Sequence, residues 1–378
     1  MEAAFWISLL WIAYTYLGYL SLLTLFALFR KRSVPKSEIY PTVSLIITAH
    51  NEEKAITNKI KNTLALDYPK DKLEIIVASD CSTDRTDEIV STFQRQGVRL
   101  VRQQERRGKT AAQNLAVKYA TGEILAFSDA TTIYASNALR KLVRNFNDPK
   151  VGCVGGEERF IKPGGTLVGE EVGLFWRYEQ LLRQRECEFN TLIGVSGCIF
   201  AIRREFYESL PESLIEDFAL PLKVASKGYR VVYEKEAVGY EETVFTGSGE
   251  FARKVRIVVG GINGLIHMRH LLNPFRYPLL AFQLISHKIF RWLTPFFLLM
   301  LFWSNISLLH QSPIYYAFGV FQSLCYGMAF LGFLFQEIKK NPRLFRIPYY
   351  FCLINLAALV GILRFLCGER KVAWSPVR

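Results

Sequence analysis

Hydrophobic and polar positions divide the chain into two apolar ends and a patterned middle. Residues 5–29 and 293–335 contain no Asp, Glu, Lys or Arg. The first run, at 25 residues, exceeds the roughly 20 that a helix needs to cross a bilayer. The second, at 43 residues, is long enough for two spans joined near residues 305–313. A last apolar run, 347–363, has only 17 residues, so a short tilted crossing and a re-entrant or interfacial helix both fit it. Residues 251–292 mix apolar positions with Arg253, Lys254, Arg256, Arg269, Lys288 and Arg291. That pattern predicts amphipathic helices lying in the headgroup plane.

The middle alternates differently. Residues 42–48 (TVSLIIT), 73–79 (LEIIVAS) and 124–127 are short β-rich runs, apolar enough to be buried on both faces of a parallel sheet. Between them 52–66, 86–95 and 109–120 read as helices. Strands alternating with helices predict a wound α/β sheet, mostly parallel and Rossmann-like, with ligands beyond the carboxyl ends of the strands. Residues 193–203 read as a further strand. The expected organisation is a membrane helix with a basic flank (1–36), an α/β domain (37–250), interfacial helices (251–292), C-terminal membrane helices (293–367) and a tail (368–378).

Charge orients this layout. Arg30, Lys31, Arg32 and Lys36 follow the first apolar run, and Lys339, Lys340, Arg343 and Arg346 follow the second. The positive-inside rule places both flanks, and the domain with them, in the cytoplasm of a protein integral to a plasma membrane of bacterial inner-membrane type. A crossing at 347–363 would carry Arg364, Arg370 and Lys371 outside, against that rule. The first run lacks a basic start and a small-residue cleavage site, so it reads as an anchor and not as a removable signal. The net charge of +13 admits nucleic acid, anionic lipid or an anionic substrate as partner. Basic residues cluster beside the apolar runs and form no basic-aromatic stripe, which favours membrane lipids and excludes nucleic acid. The seven cysteines form no CxxC pair, which argues against a zinc site or a disulfide framework.

Polar residues gather where the sheet should end in ligand. His50, Asn51 and Glu52 follow the first strand, Asp80 to Asp84 the second, and Asp129 a later one. Asp80 and Asp84 suit a helix cap as well as a ligand, and Glu52 suits a first helical turn. Lys109 stands at a helix start, where a cation opposes the dipole, so anion binding explains it better. Arg107, with Arg106 beside it as an equal candidate, shares that turn. Asp129 ends a buried strand, where a carboxylate needs a partner or a cation. Glu216 and Asp217 interrupt an apolar stretch, and Ser196-Gly197 offers close backbone approach.

The order of these stretches resembles membrane-integrated glycosyltransferase family 2, the inverting GT-A-fold enzymes that include cellulose, hyaluronan and poly-N-acetylglucosamine synthases. The matching stretches are Ala49-His50-Asn51-Glu52, Ser79-Asp80-Cys81-Ser82-Thr83-Asp84, Arg107-Gly108-Lys109 with Asn114, Ser128-Asp129-Ala130, Ser196-Gly197 and Glu216-Asp217. The resemblance covers about residues 40–300. It implies a nucleotide-diphosphate sugar donor, UDP by family habit, bound by His50, Asn51, Glu52, Asp80, Arg107, Lys109, Asp129, Arg253 and Arg256. It implies Mg²⁺ or Mn²⁺ on Asp129, Ser196 and Gly197 on the acceptor side, and Glu216-Asp217 as the catalytic acids with Asp217 as base. The acceptor would be a lipid-linked sugar or a glycan. Two departures stand out. The family's Asp-x-Asp is Asp129-Ala130-Thr131 here, and its Gln-x-x-Arg-Trp is Arg253-Lys254-Val255-Arg256-Ile257. The missing aromatic platform argues against long-polymer synthesis, though single addition and polymerisation both stay open. The departures also leave a second class of function, a non-catalytic membrane subunit of a polysaccharide-assembly complex. A transporter fits poorly, because the acids lie in the polar block. Trp292 reads as a membrane-interface anchor.

Overall fold

A computed structural model describes residues 1–29, 32–161, 170–242, 247–335 and 342–370, with the side chains of 170–174 left out. The basic flank residues Arg30, Lys31, Lys339, Lys340 and Lys371 lie outside the described residues.

Eight strands form one sheet among the described residues: β1 (Val43–Ala49), β2 (Leu73–Ser79), β3 (Val98–Arg102), β4 (Ile124–Asp129), β5 (Thr132–Tyr134), β6 (Val151–Ile161), β7 (Ile199–Arg203) and β8 (Arg230–Glu242). The spatial order is β3-β2-β1-β4-β7-β6-β8-β5. β1, β2, β3 and β4 pair in parallel, joined through helices Ile56–Leu64, Thr86–Ser91 and Lys109–Val117. The sheet turns antiparallel at β7, which pairs with both β4 and β6. Successive residues of the strands serve opposite faces. Leu45, Ile47 and Val77 join one buried cluster, while Ile46, Ile76 and Phe127 join another. Both faces are covered, which is why these strands read as continuous apolar runs.

The order reverses between β1 and β4, so their carboxyl ends open a crevice, the usual ligand position in such sheets. Residues 193–198, expected as strand, are irregular; the strand begins at Ile199.

Among the described residues four helices are long and apolar enough to cross a membrane: Glu2–Phe29, Pro278–Leu308, Pro313–Leu334 and Arg343–Leu366. The second starts well before residue 293. Its basic residues Lys288 and Arg291 interrupt the apolar run without ending the helix, since both residue types are good helix formers; Arg291 pairs with Glu179 at 2.6 Å. The last helix is longer than its 17-residue apolar run implied. Its face lies along helix Gly247–His267: Ala357 and Phe365 pack with Val255 and Val259, and a Cβ on Gly361 would fall 2.8 Å from Val258.

Candidate active site

The turns after β1 and β2 are knitted to each other. Asn51 and Cys81 both adopt positive φ, 55° and 54°, a conformation Asn tolerates better than most residues. Asn51 Oδ1 accepts from the Thr83 amide at 2.7 Å, and a His50 Nδ1–Asp80 carbonyl contact of 2.6 Å closes the same junction. Asp84 accepts from the Thr86 amide that opens the next helix, the capping role its sequence suggested. Asp80 has no exposed surface. Its Oδ1 accepts from the Arg107 amide at 2.9 Å and the Gly108 amide at 3.1 Å. Asp80, His50 and Asn51 are not among the residues that border the cavity described below, and Asp80 anchors the turn that presents Lys109. Gly108 occupies that turn at φ +94°, where a side chain would be strained.

Lys109 is the hub. Its Nζ lies 2.7 Å from Asp129 Oδ1 and 2.9 Å from Glu216 Oε1, and donates to the Gly197 carbonyl at 3.1 Å. Burial would lower its pKa, but the two carboxylates outweigh it and hold the ammonium charged. Asp129, at the end of β4, is shifted upward by burial, with Lys109 pulling the other way. Glu216 is buried and reaches Thr110 Oγ1 at 3.3 Å.

Asp217 is set beside this cluster by a proline. In a regular helix the amide of residue 221 would bond the Asp217 carbonyl, but that residue is Pro221, which has no N–H. The freed carbonyl accepts from Val195 at 2.9 Å instead. This ties helix Glu216–Ser226 to the Ser196-Gly197 loop. A Cβ at 197 would lie 2.9 Å from Asp217 Oδ2 and 3.2 Å from Lys109 Nζ, so any side chain there would displace these two groups. Burial first, then neighbouring Glu216, raises the Asp217 carboxyl to about 7, while Lys109 and Lys288 oppose the shift.

These groups line one cavity of about 1000 Å³. Glu52, Arg107, Ser196, Arg253 and Arg256 also border it. Arg107 is drawn to Glu212, and Arg253 forms a bidentate pair with Glu250 at 2.8 and 3.1 Å.

Several residues here have no counterpart in the sequence reading. Glu158 of β6, Cys198 and Glu241 of β8 bring ligating atoms within 4.8 Å of one another. Ser196 donates to Glu158 at 2.6 Å. Burial pushes Glu158 up, but the Glu241 and Ser196 hydrogen bonds and the Arg253 charge outweigh it. Glu241 rises well above the usual range through burial and the Glu158 charge. Both carboxyls act electrostatically on Asp129 or are acted on by it. Lys59 is fully buried and donates to the carbonyl of Thr132, the first residue of β5, at 2.6 Å. Burial lowers its pKa to about 7. An acid within the β6 run was a visible signal for Glu158; Lys59, inside an ordinary amphipathic helix, carried none.

Residues 44–210 match the family described as glycosyl transferase family 2. The chain is 30% identical over 261 residues to "Probable glycosyltransferase YdaM" of Bacillus subtilis, covering 65% of this chain and 62% of that protein. It is 28% identical over 283 residues to "Poly-beta-1,6-N-acetyl-D-glucosamine synthase" of Staphylococcus aureus, covering 72% of this chain and 67% of the relative. The chain thus spans under two thirds of the first relative and about two thirds of the second. A solved mannosyltransferase, PcManGT of Pyrobaculum calidifontis, in complex with GDP-Man and Mn²⁺, shares the fold. The TM-score is 0.76 at 22% identity, covering 97% of this chain and 100% of that one. Residues 44–210, which include Lys109 and Asp129, are thus a glycosyl transferase family 2 domain of GT-A architecture; Glu216 and Asp217 lie just beyond that match, and four helices among the described residues are long enough to span a membrane.

Proposed function

We propose that the protein is an inverting glycosyltransferase that moves a sugar from a nucleotide-diphosphate sugar to a hydroxyl of a lipid-linked or glycan acceptor. The observation that carries this reading is Asp217, a cavity-lining carboxyl raised to about 7 beside the Lys109–Asp129–Glu216 cluster. A base poised near neutrality takes the acceptor proton most effectively. In the step, the hydroxyl oxygen bonds to the anomeric carbon as Asp217 receives its proton. The bond from that carbon to the diphosphate oxygen breaks, and the nucleoside diphosphate leaves with the electron pair. No covalent enzyme intermediate is needed. Arg256, which makes no hydrogen bond or ion pair among the described residues, faces Asp129 and Asp217 from helix Gly247–His267. It supplies positive charge to the leaving diphosphate.

A divalent cation fits the donor set. Glu158 and Glu241, grouped with Cys198, and Asp129, which interacts with them electrostatically, offer hard carboxylate oxygens suited to Mg²⁺ or Mn²⁺, and Thr131, at the second position of the family's Asp-x-Asp, also borders the cavity. Such an ion would neutralise the diphosphate. UDP is the expected nucleotide by family habit. The GDP-Man of the mannosyltransferase complex makes GDP-sugars the second donor class to assay.

The decisive assay measures Mn²⁺-dependent nucleotide-sugar binding and transfer in detergent with wild-type protein, Asp129→Ala and Asp217→Asn. Asp129→Ala is expected to lose cation-dependent binding. Equal loss of donor affinity in both variants would mean that the roles are misassigned.

The domain faces the cytoplasm in this reading, because Arg32 and Lys36 follow the first helix and Arg343 and Arg346 open the last. The last helix then stays on that side. Tyr350, Ile354, Asn355 and Ala358 recur on one face and border the same cavity as Asp217, as does Arg370 beyond the helix end. It roofs the cavity as a re-entrant or interfacial element, which removes the conflict between Arg364, Arg370 and the charge rule. Green fluorescent protein fused after Arg378 should therefore fluoresce, and an export-dependent phosphatase fused there should stay inactive. The opposite pair of results would return the helix to a full crossing.

A further inference from the structure

The cavity is not confined to the nucleotide end of the domain. It continues to Tyr16, Trp292 and Asn355, which belong to helices long and apolar enough to cross a membrane. Two of those helices carry a π-helical turn at this level, Tyr14–Gly18 and Ile285–Ile289. The turns touch through Tyr14 Oη and Ser286 Oγ at 2.8 Å. Such turns are rare and re-aim side chains, often at functional sites.

The second turn presents His287 and Lys288, with Arg291 one turn on. Two of these three basic residues are tied down. His287 Nδ1 lies 2.7 Å from Glu186 Oε1, and Arg291 bonds Glu179 at 2.6 Å. Lys288 has neither a hydrogen bond nor an ion pair among the described residues. Its ammonium stands 5.6 Å from the ring centre of Phe218, the residue after Asp217, and its charge is felt by Asp217. Glu179 and Glu186 act on this ammonium through space, but neither comes within ion-pair distance of it; a half-buried ammonium held only in this way is costly, and a compact ammonium is suited to phosphate as a point charge. A neutral glycan acceptor would leave that charge unused.

We propose that Lys288 forms an acceptor-side anion subsite that takes the phosphate of a phosphate-linked lipid acceptor, holding it so that the acceptor hydroxyl reaches Asp217. The inference rests on the transfer reaction proposed above. The same cation chemistry would also suit the donor's diphosphate, so the test separates the two sources.

Full-length wild-type protein, Lys288→Met and Lys288→Arg are titrated in detergent with farnesyl phosphate, with farnesol, and with UDP and GDP in the presence of Mn²⁺. Wild-type protein is expected to prefer farnesyl phosphate over farnesol by about tenfold, as one charged hydrogen bond provides. Lys288→Met should lose that preference, Lys288→Arg should keep most of it, and the affinity for UDP or GDP should be little changed. A preference that survives in Lys288→Met overturns the subsite. So does a parallel loss of nucleotide affinity, which would assign the ammonium to the donor. Wild-type protein that binds nucleotide but shows no phosphate preference overturns the subsite alone. Wild-type protein that binds neither UDP nor GDP overturns the transferase reading and the acceptor role with it.

Discussion

Asp217→Asn is expected to lower kcat by about 10²–10⁴-fold, the usual contribution of a positioned general base, while nucleotide-sugar affinity stays near that of the wild type. The asymmetry follows from the roles assigned. In the proposed reaction Lys109, Arg256 and a cation on Asp129 hold the donor's diphosphate, whereas Asp217 acts only on the acceptor hydroxyl. The group is needed only when the acceptor loses its proton, so its loss appears in the transition state and not in donor binding. The pH dependence has a definite sign. With a carboxyl raised to about 7, the basic form accumulates above that pH, and transfer should climb through neutrality in wild-type protein. Stability runs the other way. A raised carboxyl pKa means that the folded state binds the proton more tightly than the unfolded one. Its stabilising contribution is full below the unfolded value and is lost as pH rises toward 7. Asp217→Asn lacks this ionisation, so at pH 8 it should melt higher than the wild type. An inactive variant that also melts lower at pH 8 would place Asp217 in a structural role instead.

The same residue shows how far the sequence could be read. Acids in an apolar stretch were visible as a candidate, and three of the four parallel strands were legible because burial on both faces leaves an uninterrupted apolar run, which the partly exposed β3 lacks. What held Asp217 in place was not legible. Pro221 frees a backbone carbonyl for Val195, and nothing in a linear pattern pairs those positions. Asp80 illustrates a different limit. A carboxylate after a strand does not announce its backbone partners, which here are the Arg107 and Gly108 amides. Glu158 and Glu241 converge only through the β6–β8 pairing, a long-range register with no local signature. The start of the second long apolar helix was hidden because Lys288 and Arg291 look like headgroup contacts. The structure turns them toward a cavity whose other wall supplies Glu179 and Glu186.

Lys109→Met carries the largest expected cost in stability. The ammonium neutralises Asp129 and Glu216 together, in a site where its side chain is only 12% exposed. Removing one member of a buried ionic cluster strands the rest and costs about 3–5 kcal/mol. For a chain of this size that corresponds to a fall in Tm on the order of 10 °C. The stranded carboxylates should raise their own pKa values and take up protons, so the deficit should shrink as pH falls toward 5. A double variant, Lys109→Met with Asp129→Asn, should recover part of the loss, because coupled neighbours are not additive. Mn²⁺ offers an independent readout, since a divalent cation can replace the missing charge beside Asp129 and should raise the Tm of Lys109→Met more than that of the wild type. If Lys109→Met melts with the wild type at neutral pH, the three groups do not form one charge-balanced unit. The crevice would then be organised by backbone contacts alone, chiefly the Asp80 anchor and the Val195–Asp217 bond.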